Sequence, residues 1–594
     1  MIKNYFKVAI RYFVRQKGYS IINIAGLAIG MAATMLILIY VFFELGFDRY
    51  NKDFNAIYRV NFHGTFGGES LDESITPAAL SALLIEDLPE VKEVTRIFNT
   101  ENRAVKYGEK AFYEDKFAFV DTNFFDFFTF PFIEGDPKNC LVEPFTVVIT
   151  ESTAKKYFGK EEAIGKVIKI TNHFGYANSP QDTAFLRITG VIRDMPVQSH
   201  FHFDFLGSMG SIKAIADNPF LVALNVYTYV RVPGNINSGV ASGKINDLYM
   251  EKVLPQLSQF LGMSEEQVEN SGSMVSLDIS PLKDIHLKAH GKYELEENGN
   301  IEYVRIFISV AFLILLLACI NFINLSTARA VRRAKEVGIR KVVGSNRNQL
   351  ILQFIGESFL FTVFSFILAM AIVEFAMPIF ENITGYDLRG FYLDKSWFWI
   401  SAAAIIIIVG FLSGLYPAIV LSSYKPIDVI RALPNRRSKG FFFRNSLVTF
   451  QFIITGIILL AVILISRQLN YIQSRELGFD KEKILVIERT DPIKTSVKSF
   501  MDELDKLPEV EKTCLSANTL CRGMNAGGFQ YLDNNDAPKT LLTASMNVNY
   551  EFADVLGLRL REGRFFSRDY NDDQNIILNE TAVRETGMKD PVGN

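Results

Sequence analysis

The sequence predicts a membrane protein: an α-helical transmembrane bundle with five visible spans, carrying large α/β extracytoplasmic domains. Three observations predict this. Five mostly apolar runs reach the length of about 20 residues that a helix needs to cross a bilayer core. The polar material collects into two long blocks, 44–303 and 467–594, instead of spreading along the chain. Lys and Arg crowd those segments that would share one face of the membrane.

Composition agrees. Of 594 residues, 49% are hydrophobic and 13% aromatic, with Phe alone present 51 times. Mean hydropathy is positive. A soluble chain of this length would divide into several less hydrophobic domains. The formal net charge of -3 gives no electrostatic case for a nucleic-acid partner. The 4 cysteines are Cys140, Cys319, Cys514 and Cys521. Cys319 falls in an apolar run and reads as inert. Cys514 and Cys521 share a polar block where a disulfide is compatible with the spacing but not required by it. No pairing has the spacing of a zinc site.

The spans follow in order. The first, 21–43, is uncharged and preceded by Lys3, Lys7, Arg11, Arg15 and Lys17. It is too long for a secretory h-region and no small-x-small site follows, so it reads as a retained anchor behind a cytoplasmic amphipathic segment, 1–20. Gly26 and Gly30 within it form a small-xxx-small face suited to close helix packing, although glycine is common in spans generally. The second, fourth and fifth spans, 306–328, 396–424 and 445–466, are uncharged, and the third, 358–380, carries only Glu374. Between the second and third, residues 329–357 hold Arg329, Arg332, Arg333, Lys335, Arg340, Lys341 and Arg347 against Glu336 and Glu357. The linker 425–444 is similarly basic, whereas 381–395 is mixed. If all five runs span, every basic segment lies on one side, which the positive-inside rule makes cytoplasmic, N-terminus included. Trp397 and Trp399 then fall at the outer end of the fourth span, where an aromatic belt is expected.

The first outer block reads as α/β. Phe145–Thr150 and Leu186–Ile192 alternate like strands, 152–158 and 246–260 like helices, and Gly64–Glu69 and Asn178–Asp182 like loops. At an offset of 428, the second block overlays part of the first. Phe124, Asp126, Glu134, Gly135, Ile149, Thr153, Ala154, Gly159 and Gly165 meet Phe552, Asp554, Glu562, Gly563, Ile577, Thr581, Ala582, Gly587 and Gly593. The pentapeptide ELGFD follows both the first span (44–48) and the fifth (476–480). This order implies an internal repeat of a whole unit. The expectation is that the second copy stops early, that domain 467–594 is incomplete, and that an intact chain would carry three more spans.

Chemistry-bearing motifs are few. His200, His202 and Asp204 alternate in SHFHFDF, so on a strand they would share a face that a metal could use. A half-exposed strand backed by Phe201, Phe203 and Phe205 explains them as well, and is the preferred reading. His286 and His290 stand four apart without the glutamate of a zincin motif and read as surface. GVASGKI at 239–245 has the wrong spacing for a phosphate loop. The expectation is therefore no catalytic residue, no metal and no cofactor in this chain, and no enzymatic activity of its own. The spans also lack the mid-membrane ionisable groups of ion-coupled carriers.

Three stretches carry a resemblance. They are NFINLSTARAVRRAKEVGIRKVVGSNRNQLILQFIGES at 321–358, GLYPAIVLSSYKPIDVIR at 414–431, and TVVITESTAKKYFGKEEAIGK at 146–166. Together they resemble the MacB/FtsX-like family of ABC transporter permeases: the segment joining the second and third spans, the exit of the fourth, and the periplasmic core domain. The duplicated arrangement resembles the long permeases in which two such units are fused. The resemblance implies that 44–303 and 467–594 are MacB-like periplasmic core domains in the bacterial inner membrane. It implies a permease subunit that passes ATP-driven motion (mechanotransmission) from a separate cytoplasmic ATPase dimer to its outer domains, for export, efflux or lipoprotein release. A periplasmic adaptor or outer-membrane protein is a further candidate partner, and ATP would sit on the ATPase.

Docking is expected on the coupling segment 329–357, at Arg332, Arg333, Lys335, Glu336, Val337, Gly338, Ile339, Arg340, Lys341 and Gly344. There basic residues would meet an acidic groove, Val337, Ile339 and Val342 an apolar one, and Gly338 and Gly344 would bend or end the helix. The same cations could instead anchor the loop on anionic lipid. The alternatives to transport are an ATPase-coupled regulatory protein that senses peptides or activates a cell-wall hydrolase, and a membrane sensor with no ATPase.

Overall fold

A computed structural model describes residues 17–66, 69–100, 103–171, 183–234, 237–261, 264–270, 274–328, 337–423, 439–475, 477–479, 482–488, 490, 493, 496–518, 525–532, 538–588 and 591–593. Among the described residues, five helices are long and apolar enough to cross a membrane: α1 (Lys17–Glu44), α2 (Ile301–Ala328), α3 (Arg347–Thr384), α4 (Ser396–Ser423) and α5 (Lys439–Ser474). At 1.5 Å per residue, the 28 residues of α1 extend about 42 Å, beyond the ~30 Å of a hydrocarbon core. With 38 residues, α3 is longer still. It starts well before the apolar run because Gln349 Oε1 accepts from the backbone N–H of Asn346 (3.1 Å), half of a capping box that fixes the N-terminus. It stops at Gly385, whose φ of 75° closes the last turn.

α1 is central, packing against both α2 and α3, and α3 pairs with α4. The bundle core joins Leu27, Met31, Met35 and Ile39 of α1 to Phe361, Val373 and Met377 of α3 and Ile405 and Val409 of α4. Gly30 lies so close to α2 that a Cβ built there would stand 2.5 Å from Ala318 Cβ, and one on Gly26 would stand 3.0 Å from Asn321 Nδ2. Both glycines thus face α2. The Thr34 hydroxyl, one turn on, donates to Gly30 O (2.8 Å) and approaches Ala311 O of α2 (3.3 Å). α5 touches α2 and keeps most of its apolar side chains exposed.

Between α1 and α2 the chain builds a 14-stranded mixed sheet. Its order is Met274–Pro281, Ile57–Phe66, Leu224–Arg231, Glu93–Thr100, Phe117–Val120, Phe205–Ser208, Thr146–Thr150, Thr183–Ile192, Val167–Thr171, Arg103–Tyr107 and Lys110–Glu114. Three short strands, Glu69–Glu73, Thr76–Pro77 and Phe132–Gly135, pair beside this path. Most pairs are antiparallel, but Thr146–Thr150 runs parallel to Thr183–Ile192, and Phe117–Val120 to Phe205–Ser208. Thr146–Thr150 and Phe117–Val120 are buried along their whole length, as strands covered on both faces must be. Helices Glu151–Phe158 and Ser238–Leu261 cover the sheet where helical periodicity was expected. The stretch Gly64–Glu69, read as a loop, is instead mostly the ends of two paired strands, with Phe66 opposite Glu69. Asn178–Asp182 lies outside the described residues.

On the strand Ile57–Phe66, paired on both sides, His63 sits between two carboxylates, with Nδ1 2.6 Å from Asp72 Oδ1 and Nε2 3.2 Å from Asp278 Oδ1. Its hydrogen bond to Asp278, only partly offset by burial and helped by Asp72, pushes its pKa from 6.5 up to about 9. A raised pKa means that the folded state holds the proton more tightly, so the stabilisation is complete below about pH 6.5 and fades as pH rises through 9. The site is well exposed, which limits the effect to about 1 kcal/mol. Unfolding titrations of His63→Asn and wild type should therefore differ at pH 6 and converge by about pH 10. A gap that widens with pH would refute this assignment.

In the second block the described residues form a hairpin, Asn525–Leu532 with Pro538–Ser545, and helices Phe552–Val555 and Glu580–Thr586. The offset of 428 carries helix Phe124–Phe127 onto Phe552–Val555. It also carries Gly135, Gly159 and Gly165 onto Gly563, Gly587 and Gly593, and all six have positive φ. Residues 574–578, aligned with the strand Thr146–Thr150, form no strand. Whether Cys514 pairs with Cys521 was left open by the spacing, and Cys521 lies outside the described residues.

Candidate functional sites at the two ends of the bundle

The described part of the expected docking segment, from Val337 on, packs where α3 begins and α4 ends. Arg329, Arg332, Arg333, Lys335 and Glu336 are outside the described residues. From Val337 the chain is a short helix to Val342, closed by Gly344 at φ 102°, a conformation that favours glycine. Gly338 is helical and buried.

The helix divides its side chains between two tasks. Val337, only 3% exposed, packs into a small core with Leu350 and Phe354 of α3 and Ala418 and Leu421 of α4. It is therefore not available to fill a partner's groove, contrary to the expectation, because its own bundle supplies the apolar surface. Arg340 Nη1 donates to Gln353 Oε1 (2.7 Å), and Gln353 Nε2 donates to Glu357 Oε1 (3.0 Å). Lys341 Nζ donates to Ser422 O at the end of α4 (2.6 Å). These cations brace the helix against α3 and α4. Ile339, Val342 and Val343 are 58%, 65% and 82% exposed and form its free apolar face. Val343 was not singled out in the sequence, although its place one residue before Gly344 would have allowed it.

The opposite end holds the residues that the sequence underrated. α1 ends at Glu44, and its ELGFD pentapeptide runs directly into the α/β domain. Glu44 Oε2 lies 2.8 Å from His286 Nε2, with both side chains 3% exposed. Phe47 stacks flat on the His286 ring at 3.4 Å. Asp48 Oδ1 lies 2.8 Å from His200 Nδ1, both essentially buried, and His200 Nε2 meets the Tyr229 hydroxyl at 2.7 Å. His202 Nδ1 contacts both Glu296 oxygens at 2.9 Å.

The histidine readings therefore change. Residues 200–204 are not a strand, so their alternation sets up no common face. His286 is in the buried core and not on the surface, because helix Leu282–Lys288 turns it towards Glu44. Each of the three histidines is engaged by a carboxylate. Among the described residues no group of three or more His, Cys, Asp or Glu side chains is arranged to hold a metal.

The segment entering α2 is fastened as well. Arg59, fully buried, grips Glu294 through both guanidinium nitrogens (2.5 and 2.7 Å), and the Ser74 hydroxyl donates to the same carboxylate (2.5 Å). Burial pushes the Glu294 pKa up, but the hydrogen bonds and charge of Arg59 outweigh it and hold the carboxyl below its usual range. Tyr227 donates to Tyr293 O (2.6 Å), which fixes the adjoining backbone.

Comparison with known proteins adds two domain matches. Residues 20–247 match the model of the MacB-like periplasmic core domain, and residues 308–426 that of the FtsX-like permease C-terminal region. The macrolide export ATP-binding/permease protein MacB of Bdellovibrio bacteriovorus is 28% identical over 130 residues, 21% of this chain and 18% of that protein. The uncharacterized ABC transporter permease YvrN of Bacillus subtilis is 21% identical over 451 residues, 72% of this chain and 99% of that protein. The chain thus spans a small part of the first relative and nearly all of the second. Among solved structures, the periplasmic region of MacB from Actinobacillus actinomycetemcomitans aligns with 39% of this chain and 94% of its own length, at 15% identity and a TM-score of 0.25.

Proposed function

We propose that this chain, which belongs to the MacB/FtsX-like family of ABC transporter permeases, is the multi-pass membrane subunit of a bacterial ABC-type system and works by relaying motion across the bilayer. In this reading a separate ATPase dimer binds and hydrolyses ATP below the membrane. The basic end of the bundle and the N-terminus are cytoplasmic, and the α/β domain works outside. The substrate is something exported, expelled or released at the outer face, where an adaptor or outer-membrane protein could receive it.

The observation that carries this reading is the helix 337–342. It is braced to α3 and α4 by Val337, Arg340 and Lys341, while Ile339, Val342 and Val343 stay exposed. A force applied to that apolar face is passed to two spans and, through α3, to α1. The undescribed Arg332 and Arg333 would add attraction to an acidic partner.

The test is co-purification of nucleotide-binding partners with the full-length protein from its native membrane. Ile339→Asp combined with Val342→Asp should reduce a co-purifying ABC ATPase at least tenfold, since charge in an apolar contact costs more than one step of about 1.4 kcal/mol. Reversing Arg332 and Arg333 should weaken it further. An ATPase recovered in equal amount from both variants would show that docking does not use this segment.

A further inference from the structure

We propose that Glu44 with His286, and Asp48 with His200, form a rigid joint that makes the α/β domain tilt together with α1. The inference rests on the motion-relaying role above and names the residues that position the domain on its helix.

A helix that runs from a membrane into a separate domain usually ends in an exposed linker, and such a linker is a hinge. Here the crossing is pinned at successive points. Gln198 Nε2 donates to Phe43 O (2.6 Å), and the Asp48 amide donates to Gln198 O (2.8 Å). The chain passes so near that a Cβ at Gly46 would stand 2.1 Å from Gln198 Nε2. Around these backbone ties, Phe43 packs on Phe47, Tyr386 and Phe391, so the loop between α3 and α4 also grips the exit of α1.

The four polar side chains are held where water is excluded: Glu44 and His286 are 3% exposed, Asp48 0% and His200 1%. Buried pairs of this kind add little net stability over apolar packing, but they tolerate few alternative geometries. A joint that bent would have to part a carboxylate from its buried histidine without water to replace it. The stack of Phe47 on His286 adds a flat contact that resists rotation. Three of the five residues of ELGFD, namely Glu44, Phe47 and Asp48, supply these contacts. The return crossing is pinned separately, by Glu294 on Arg59 and Glu296 on His202. Both connections between bundle and domain are thus fastened, and the domain has no free strap on which to swing.

The experiment measures rigidity directly and needs no ATPase. Spin labels carried on unnatural amino acids at the exposed positions Phe185, in the sheet, and Ile400, on α4, report the domain-to-bundle distance in the full chain in lipid nanodiscs. Wild type should give one narrow distance population. His286→Leu with His200→Leu should broaden it at least twofold. His286→Gln with His200→Asn, which return an N–H near the lost Nε2 and Nδ1, should narrow it again. Hydrogen exchange across Thr146–Thr150 and Thr183–Ile192 tells whether the sheet remains folded. If the double leucine variant loses that protection, His286→Leu alone decides by the same criterion. A distribution that stays narrow in a folded leucine variant overturns the joint, as does a broadening that the amide variants leave unchanged. The co-purification test scores the docking reading separately, so either idea can fail while the other stands.

Discussion

Replacing Arg59 by Leu should destabilise the α/β domain by about 3–5 kcal/mol, the usual cost of leaving one member of a buried ion pair without its partner. Arg59 is 0% exposed and Glu294 13%. The guanidinium grips both carboxylate oxygens, and Arg59 Nε donates to Asn61 Oδ1 (3.0 Å). Asn61 Nδ2 in turn donates to Asp278 Oδ1 and Ser280 Oγ, each at 2.8 Å. Leucine fills part of the volume but leaves Glu294 with the Ser74 hydroxyl and without its guanidinium. Arg59→Lys should recover little, because a single ammonium cannot reproduce the two parallel hydrogen bonds. Arg59→Leu with Glu294→Leu should recover most of the loss, since the isolated carboxylate and not the missing bond dominates the penalty. Denaturant dependence of hydrogen exchange across Thr146–Thr150 and Thr183–Ile192 in the full-length protein measures all three, because both tryptophans, Trp397 and Trp399, lie on α4 and would not report on this domain. If the double variant is as unstable as the single one, the argument from the stranded charge is wrong.

The sign of the pH dependence provides a second check on the same pair. The Glu294 pKa is depressed on folding, so its contribution is present above the unfolded value and lost as pH falls through the folded one. Wild type should therefore lose its advantage over the double leucine variant only on acidification below about pH 4.3. It should lose none of it between pH 5 and pH 8.

The contrast between the spans and the joints shows what a sequence reveals. The spans could be read because each is a contiguous apolar run and a bilayer imposes a minimum length. The extra turns of α3 were less visible because Gln353 and Glu357 look like loop residues. They are helical because Arg340 and the capping of Asn346 give their polar atoms partners. The joint was hidden for a different reason. His286 and Glu44 are 242 residues apart and His200 and Asp48 are 152 apart, and no periodicity couples positions at such range. Period 2 in SHFHFDF suggested a strand, but the backbone there is irregular, so the inference about shared faces failed with its premise. The usable signal was the recurrence of ELGFD after two spans. Two acids and a phenylalanine repeated at a membrane boundary implied a task there, although not which partners would complete it. Val337 was misjudged because an apolar residue on a short helix does not announce whether its own bundle or a partner will cover it.

Gly30→Ala should destabilise the bundle by about 1–3 kcal/mol, the range for forcing extra volume into a tight contact, even though alanine is the better helix former. The added Cβ would lie 2.5 Å from Ala318 Cβ, on a helix whose far side is already packed against α3. α1 therefore cannot move away from α2 without disturbing its packing on α3. Separating α1 from α2 would also lengthen the contact between the Thr34 hydroxyl and Ala311 O, now 3.3 Å, in a medium that offers no water as a substitute. The compensating exchange tests the cause. Gly30→Ala with Ala318→Gly moves the methyl group from one helix to the other and keeps the volume at the crossing nearly constant, so it should restore most of the stability. Titration of the detergent-solubilised protein with a denaturing detergent gives the comparison. If Ala318→Gly fails to rescue, the glycine acts through something other than the close approach. Since α1 and α2 are the two helices fastened to the α/β domain, their separation at this crossing sets where the two anchored exits stand, and a rescued crossing should restore the narrow domain-to-bundle distance along with the stability.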